Sequence, residues 1–162
     1  MTGVHLLNSA ILTLPAPTQI QTVRTFHAPR HLVYRAWTTP ELVKRWWASD
    51  LGEMTIAEID LRVGGQWRDV MVTHHGMEVA FHGEFQDIVP NERITSTEIY
   101  EGMPEEASMN TAVFTDLPQG TLLTLHIEHR TQQSRDLHLQ SGMEKGLQKA
   151  LNFLEHVALA EK

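Results

Sequence analysis

The order of apolar and polar residues along the chain predicts one strand, two short helices and then a run of strands. β-Branched residues are frequent in the stretch 19–27, which predicts a first strand that ends at Ala28-Pro29. After Pro29, apolar residues recur at helical spacing and predict two short helices that Thr38-Thr39-Pro40 separates. From residue 54, short alternating stretches are separated by Gly and Pro turn signals. They predict six further strands, at 54–61, 66–74, 77–88, 92–100, 109–117 and 121–130.

The last segment of the chain is long and amphipathic. Over residues 134–160, apolar residues recur every three or four positions, which predicts one helix with one buried face. Short connections between strands favour one continuous antiparallel sheet of about seven strands, and a sheet of that width curls. The C-terminal helix alone has enough apolar surface to cover the concave side. We therefore predict an α+β fold with a space between the helix and the sheet.

The start of the chain differs from the rest. Pro15-Ala-Pro17 separates residues 1–17 from the first predicted strand, and terminal residues are ordered only where they dock on the domain. We predict an N-terminal tail at 1–17, with an extra strand or a partner-binding arm as the alternative. A length of 162 residues fits one domain, which we place at 18–162.

Composition and charge narrow the function classes. The chain has no cysteine, which excludes disulfides, thiolate metal sites and a cysteine nucleophile. Thirteen Lys and Arg against 20 Asp and Glu give a net charge of −7, which argues against nucleic acid or an anionic membrane as the main partner. No apolar run approaches the ~18 residues of a membrane span. Since no basic residue precedes the apolar start, we predict no secretory signal and expect a cytoplasmic location.

Strand alternation predicts which side chains face the space under the helix. On each strand, the set that contains the apolar residues marks the inner side. On the sheet, the inner positions predicted to bind a ligand are Trp67, Asp69, Met71, Phe81, Phe85, Ser96, Glu98, Asn110 and Phe114. Of the adjacent pair Trp46-Trp47, one side chain enters the core and the other rests near the rim, and we assign Trp47 to the ligand. Met143 and Leu147 of the last helix complete the predicted site.

Polar residues at inner positions leave two interpretations open. Asp69, Glu98 and Asn110 fall on the inner side, and Arg24 shares the parity of Phe26. Buried charges are costly unless they are paired. In the first interpretation, these groups orient the hydroxyl, amine or carbonyl of a ligand. In the second, the charged groups satisfy one another or reach water at strand ends. A buried carboxyl can act as a general base, but no catalytic residue is assigned because the sequence fixes no second catalytic partner.

Histidines and glycines complete the candidate chemistry. The pairs His74-His75 and His126/His129 each point to opposite faces, so we predict no metal site, and no cofactor is expected.

Gly142 and Gly146 lie within the predicted last helix, where each costs ~1 kcal/mol relative to Ala. We interpret both as a way to bring the helix close to the sheet or to leave volume for a ligand.

Several motifs together resemble the activators of heat-shock-protein-90 ATPase homologues, a family of the START-like, or SRPBCC, helix-grip superfamily. The motifs are Phe26-His-Ala-Pro29, the run from Ala36 to Trp47, the run from Asp60 to Trp67, the run from Gly83 to Arg93, Gly120-Thr-Leu-Leu-Thr124, and Gly142. The resemblance extends from about Ile20 to Ala158 and implies a helix-grip fold. It implies a container for apolar or amphipathic small molecules, with a chaperone-binding module or a cyclase- or dehydratase-type enzyme as alternatives. The family often has Trp where this chain has Met143, so the shape of the cavity there is not inherited from relatives.

Overall fold

An eight-stranded antiparallel sheet organises the computed structural model, which describes residues 9–162. The strands are β1 Ile11–Thr13, β2 Gln19–Phe26, β3 Gly52–Ile59, β4 Gln66–Thr73, β5 Glu78–Val89, β6 Arg93–Tyr100, β7 Ala107–Leu117 and β8 Gly120–Glu128. The helices are α1 Arg30–Thr38, α2 Pro40–Val43, α3 Gln132–Gln140 and α4 Met143–Ala160. The order across the sheet is β1-β2-β8-β7-β6-β5-β4-β3. The predicted α+β fold with a C-terminal helix and two short helices after the first long strand is confirmed.

The strands from β2 to β8 follow the predicted boundaries to within two residues. Neighbouring strands from β3 to β8 pair as successive hairpins, while β2 pairs with β8 and so joins the two ends of the chain. Pro40 opens α2 at a first-turn position, where its missing N–H is not needed. The turn residues therefore set the element boundaries, and the period-two alternation sets which side of the sheet each side chain faces.

The sheet has one strand more than the predicted number of about seven, because part of the predicted tail docks on β2. Residues Ile11–Thr13 pair antiparallel with β2, with Ile11 opposite Val23. Just before β1, the backbone N–H of Ala10 donates to the Gln148 side chain at 2.8 Å, and the Ala10 carbonyl accepts from Gln148 at 2.6 Å. Ladder and side-chain hydrogen bonds thus order this segment, as in the alternative interpretation of an extra strand. The tail prediction for residues 1–8 lies outside the described residues.

The predicted single helix over 134–160 is two helices. Gly142 has a φ of +85°, in the left-handed region, and it separates α3 from α4. A left-handed residue ends a helix, and glycine adopts this conformation without a Cβ penalty. Gly142 therefore acts as a helix terminator, not as a residue inside one helix. Gly146 remains inside α4.

The core and the helices occupy only part of the inner side of the sheet. Leu151 and Leu154 of α4 share one hydrophobic core with Phe26 of β2 and Leu123 of β8, and all four are almost fully buried. α4 also packs against α1. The first turns of α4, by contrast, do not reach full burial. Within residues 9–162, no helix combines the length and the apolar character that crossing a membrane requires.

Candidate functional site

A cavity of about 390 Å³ lies between the first turns of α4, the α1–α2 region and the inner side of the sheet. This volume falls within the range of small-molecule pockets, roughly 300–1,000 Å³. Apolar and aromatic side chains form most of its wall, and the polar residues that also line it include Asp69, Glu98 and Asn110. The wall thus has the composition of a ligand pocket, mostly apolar with a few polar groups.

Nearly all of the residues predicted to bind a ligand come together here. The residues that line the cavity are Trp47, Trp67, Asp69, Met71, Phe81, Phe85, Ser96, Glu98, Asn110, Met143 and Leu147. Their role in ligand binding stays a prediction. Their convergence follows from the strand period of two, which places alternate residues of β4, β5, β6 and β7 on one side.

Phe114 is the exception and belongs to the core. Its side chain is 1% exposed and does not line the cavity. It contacts Tyr34 and Trp37 edge to face, with ring centroids 5.5 Å and 5.9 Å away. Alternation gives the correct side of β7, but α1 covers this end of the strand. Phe114 is therefore a core residue and not part of the cavity wall, contrary to the prediction.

The tryptophans after α1 divide between core and cavity. Trp46 is 4% exposed, stacks on Trp37 at 5.1 Å, and donates from Nε1 to the Ala36 carbonyl at 2.9 Å. Trp47 contacts Phe81 edge to face at 5.5 Å. The predicted ligand-binding set does not include several further lining residues from α1, α2, β3 and the loop before β3. These are Trp37, Val43, Leu51 and Ile59. Apolar periodicity marked the helical members as buried, but it does not distinguish core from cavity.

Gly83 allows the Trp67 indole to lie close to β5. A Cβ at Gly83 would be 1.8 Å from the Thr97 carbonyl oxygen and 2.6 Å from Trp67 Nε1. Trp67 lies opposite Gly83 in the strand register, so its ring occupies the space that a side chain would fill. Among the described residues, none accepts a hydrogen bond from the buried Trp67 Nε1.

Asp69 and Glu98 are carboxyl groups in this mostly apolar wall. Asp69 is 7% exposed, and burial, reinforced by the negative charge of Glu98, raises the pKa of Asp69 to about 7. Burial also raises the pKa of Glu98, while a hydrogen bond from Asn110 opposes the shift. Ser108 donates to Asn110 Oδ1 at 3.0 Å and so fixes the amide. Among the described residues, no group hydrogen-bonds Asp69 Oδ1.

Arg24 does not neutralise these carboxyls. Its guanidinium is 3.2 Å from Glu155 of α4 and lies 4.7 Å from the centre of the Phe26 ring. The interpretation in which Arg24 pairs with Asp69 and Glu98 is therefore wrong. Glu155 also accepts from the His27 backbone N–H at 2.8 Å, so it ties α4 to the end of β2. Arg24 belongs to the packing of α4, outside the cavity.

A histidine pair lies at the α3 side of the cavity. The ring nitrogens of His129 and His138 are 3.0 Å apart, and His138 lines the cavity. Burial, with a smaller contribution from His129, lowers the pKa of His138 to about 4, so this ring is neutral near pH 7. Over residues 9–162, no cluster of three or more His, Asp or Glu is placed to hold a metal ion.

A wide antiparallel sheet with a C-terminal helix across it and a cavity between them defines a helix-grip protein of the START-like superfamily. The sequence model of the Activator of Hsp90 ATPase homolog 1-like protein family matches residues 27–158, so the chain belongs to this family.

Solved structures of bacterial proteins share the fold. A protein from Rhodobacter sphaeroides has 22% identity and a TM-score of 0.88, covering 94% of this chain and 99% of its own. A Nitrosomonas europaea protein has 25% identity and a TM-score of 0.81, with 91% and 98% covered. An AHSA1-like protein from Aeromonas hydrophila has 21% identity and a TM-score of 0.70, with 88% and 93% covered. Comparison with curated proteins found no match.

Proposed function

We propose that this protein binds an apolar or amphipathic small molecule in the cavity between α4 and the sheet. The cavity itself carries the proposal, because about 390 Å³ beside an otherwise packed core is space that apolar side chains could have filled. Aromatic residues from three parts of the fold, Trp47, Trp67 and Phe81, supply flat apolar contact area for a ligand. The carboxyls of Asp69 and Glu98 supply the polar end that an amphipathic molecule needs.

Gly146 supports the same proposal from the helix side. A Cβ built on Gly146 would meet no atom within 4 Å, although the residue lies inside α4 and lines the cavity. Helix-interior glycine costs ~1 kcal/mol relative to Ala, and close packing does not require it here. A larger side chain at this position would extend into the space assigned to the ligand. Gly146 is therefore the position from which the cavity can be filled with least damage to the fold.

The test uses the neutral apolar fluorophore N-phenyl-1-naphthylamine. We expect saturable binding with a fluorescence increase in the wild type, and a loss of about tenfold or more in affinity for Gly146→Leu, because leucine fills the cavity. Lys145→Leu adds the same side chain at an exposed neighbouring position of α4 and serves as the matched control. Native mass spectrometry of gently purified protein, with a thermal-shift screen of lipids and aromatics, identifies the chemical class of the natural ligand. Equal binding by wild type and Gly146→Leu would overturn the proposal.

A catalytic alternative has one supporting observation. Asp69 has a pKa of about 7 inside the cavity, which suits a general base near neutral pH. For an enzyme of cyclase or dehydratase type, Asp69→Asn and Glu98→Gln abolish turnover of a bound substrate and leave the fold intact. The chaperone-binding alternative stays a prediction, which a pull-down of the heat-shock protein from lysate tests.

A further inference from the structure

Two carboxyl groups with no cation are the unusual feature of the cavity wall. Asp69 of β4 and Glu98 of β6 lie on either side of β5, close enough for the charge of Glu98 to affect Asp69. No lysine or arginine lines the cavity in the described part of the chain. The buried arginines bind elsewhere: Arg24 contacts Glu155, and Arg135 contacts Asp136. Among the described residues, no lysine or arginine therefore compensates the negative charge that these carboxyls carry when they are ionised.

One oxygen of Asp69 is buried without a hydrogen-bond partner among the described residues. Asp69 is 93% buried, since its exposed fraction is 7%, yet no described residue donates a hydrogen bond to Oδ1. A buried acceptor without a donor costs roughly 1–3 kcal/mol. The Asn110 side chain hydrogen-bonds the carboxyl of Glu98, but no described amide does the same for Asp69 Oδ1. A ligand donor at Asp69 would remove this cost.

Aromatic rings surround the same position. Phe81 lies directly opposite Asp69 in the strand register, and it contacts Trp47 and Tyr100 at centroid distances of 5.5 Å and 5.2 Å. The Trp67 ring lies two residues before Asp69 on the same side of β4. Aromatic faces attract cations, and this attraction is stronger in a desolvated site. Carboxylates beside aromatic rings form an environment for an organic cation.

We infer that the cavity selects ligands that carry a protonated amine, which Asp69 and Glu98 bind while the apolar part lies against α4. The inference rests on the proposed function and specifies its ligand class. An ammonium group provides three donors and one positive charge, so it satisfies Asp69 Oδ1 and compensates one negative charge of the carboxyl pair. A hydroxyl supplies one donor and no charge. A ligand carboxylate would be repelled by both acids. The unpaired Trp67 N–H can donate to a neutral oxygen that lies near the amine of the ligand.

Three probes of equal chain length test the inference: octylamine, octan-1-ol and octanoate. Each competes with bound N-phenyl-1-naphthylamine at about pH 8, where octylamine, like a lysine side chain of pKa ~10.4, is protonated. We expect octylamine to bind about tenfold more tightly than octan-1-ol, because charge-assisted hydrogen bonds are roughly twice as strong as neutral ones. Octanoate is expected to bind most weakly.

Two variants assign the selectivity to the carboxyl pair. We expect Asp69→Asn and, independently, Glu98→Gln to reduce the octylamine preference to about threefold or less, while the affinity for octan-1-ol changes little. Glu84→Gln changes an exposed acid on β5 and serves as the control that retains the preference. If one cavity variant does not fold, the other still tests the assignment.

The outcomes separate this inference from the proposed function. Binding of octan-1-ol as tight as that of octylamine overturns the amine selectivity and leaves the cavity function in place. Amine selectivity that persists in both Asp69→Asn and Glu98→Gln also overturns it. If the fluorophore and all three probes fail to bind the wild type, the proposed function itself fails.

Discussion

Replacing Asp69 by Asn tests the electrostatics of the cavity through protein stability. Burial and the charge of Glu98 raise the pKa of Asp69 from 3.8 to about 7. In the unfolded chain, the Asp69 carboxyl loses its proton near the ordinary pKa of 3.8, whereas in the folded protein it keeps the proton until about pH 7. Between these values the folded state binds more protons than the unfolded state, so the stabilising contribution of protonated Asp69 is lost as pH rises.

The size of the effect follows from the shift. One pKa unit corresponds to about 1.4 kcal/mol, so raising the pH from about 4.5 to about 8 removes about 3 kcal/mol of stability through Asp69. Asn carries no charge and removes this dependence. Near pH 4.5 the carboxyl of the wild type and the amide of the variant are both neutral, and both lack a partner for a buried oxygen, so this burial cost nearly cancels. We therefore expect Asp69→Asn to change stability little near pH 4.5 and to be about 3 kcal/mol more stable, relative to wild type, at pH 8.

Urea unfolding of both proteins across this pH range measures the difference. Subtracting the unfolding free energy of the wild type from that of the variant cancels the pH dependence of groups elsewhere. In the variant, Glu98 also loses a negative neighbour at high pH, which adds to the variant's gain in stability. Asp87→Asn, at an exposed carboxylate of β5 held by Arg93 at 2.7 Å, is a surface control. A stability difference that stays constant between pH 4.5 and pH 8 would refute the placement of Asp69 in a desolvated wall.

Three further substitutions test the packing that forms the site. Gly146→Ala should stabilise the protein by about 0.5–1 kcal/mol, because the new methyl group contacts nothing and the helix loses a glycine; a lower urea midpoint would contradict this. Gly83→Ala places a Cβ 1.8 Å from the Thr97 carbonyl oxygen and should destabilise the protein by about 1–3 kcal/mol or more. An unchanged urea midpoint would argue against the close approach of β5 and β6. Glu155→Ala leaves Arg24 buried without its partner and should cost about 3 kcal/mol in thermal or urea unfolding, whereas a neutral outcome would mean that water solvates the guanidinium.

Strand alternation predicted the cavity wall because it is a local property. A period of two assigns each residue of β4 or β6 to one side of the sheet, whatever the rest of the fold does, so Asp69 and Glu98 were placed together from the sequence. Phe114 obeys the same rule and was still misassigned. Its position depends on α1, which packs over that end of β7 through Tyr34. The sequence pattern shows which side a residue faces but not what covers it.

Long-range partners explain the other differences. Residues Ile11–Thr13 are a strand only because β2 has a free edge and Gln148 of α4 binds Ala10. Arg24 has the parity of an inner residue, but its partner Glu155 lies on a helix more than a hundred positions away. The prediction that Gly142 lies inside one continuous helix is wrong, since it separates α3 from α4. The pattern could not reveal its positive φ, because periodicity continues through the break.

Features that cost stability converge on the cavity. Gly146 weakens α4, Asp69 Oδ1 and Trp67 Nε1 are buried without partners, and Glu98 is ionisable in a desolvated wall. Arg24, outside the cavity, is only partly satisfied as well: Nη2 contacts Glu155 and the guanidinium lies over the ring of Phe26, but Nε and Nη1 have no hydrogen-bond partner among the described residues. Local departures from the rules of stable packing are expected at functional sites. Because these departures share one cavity wall, a single bound molecule can satisfy several of them at once, and stabilisation by such a molecule grows with its concentration above Kd.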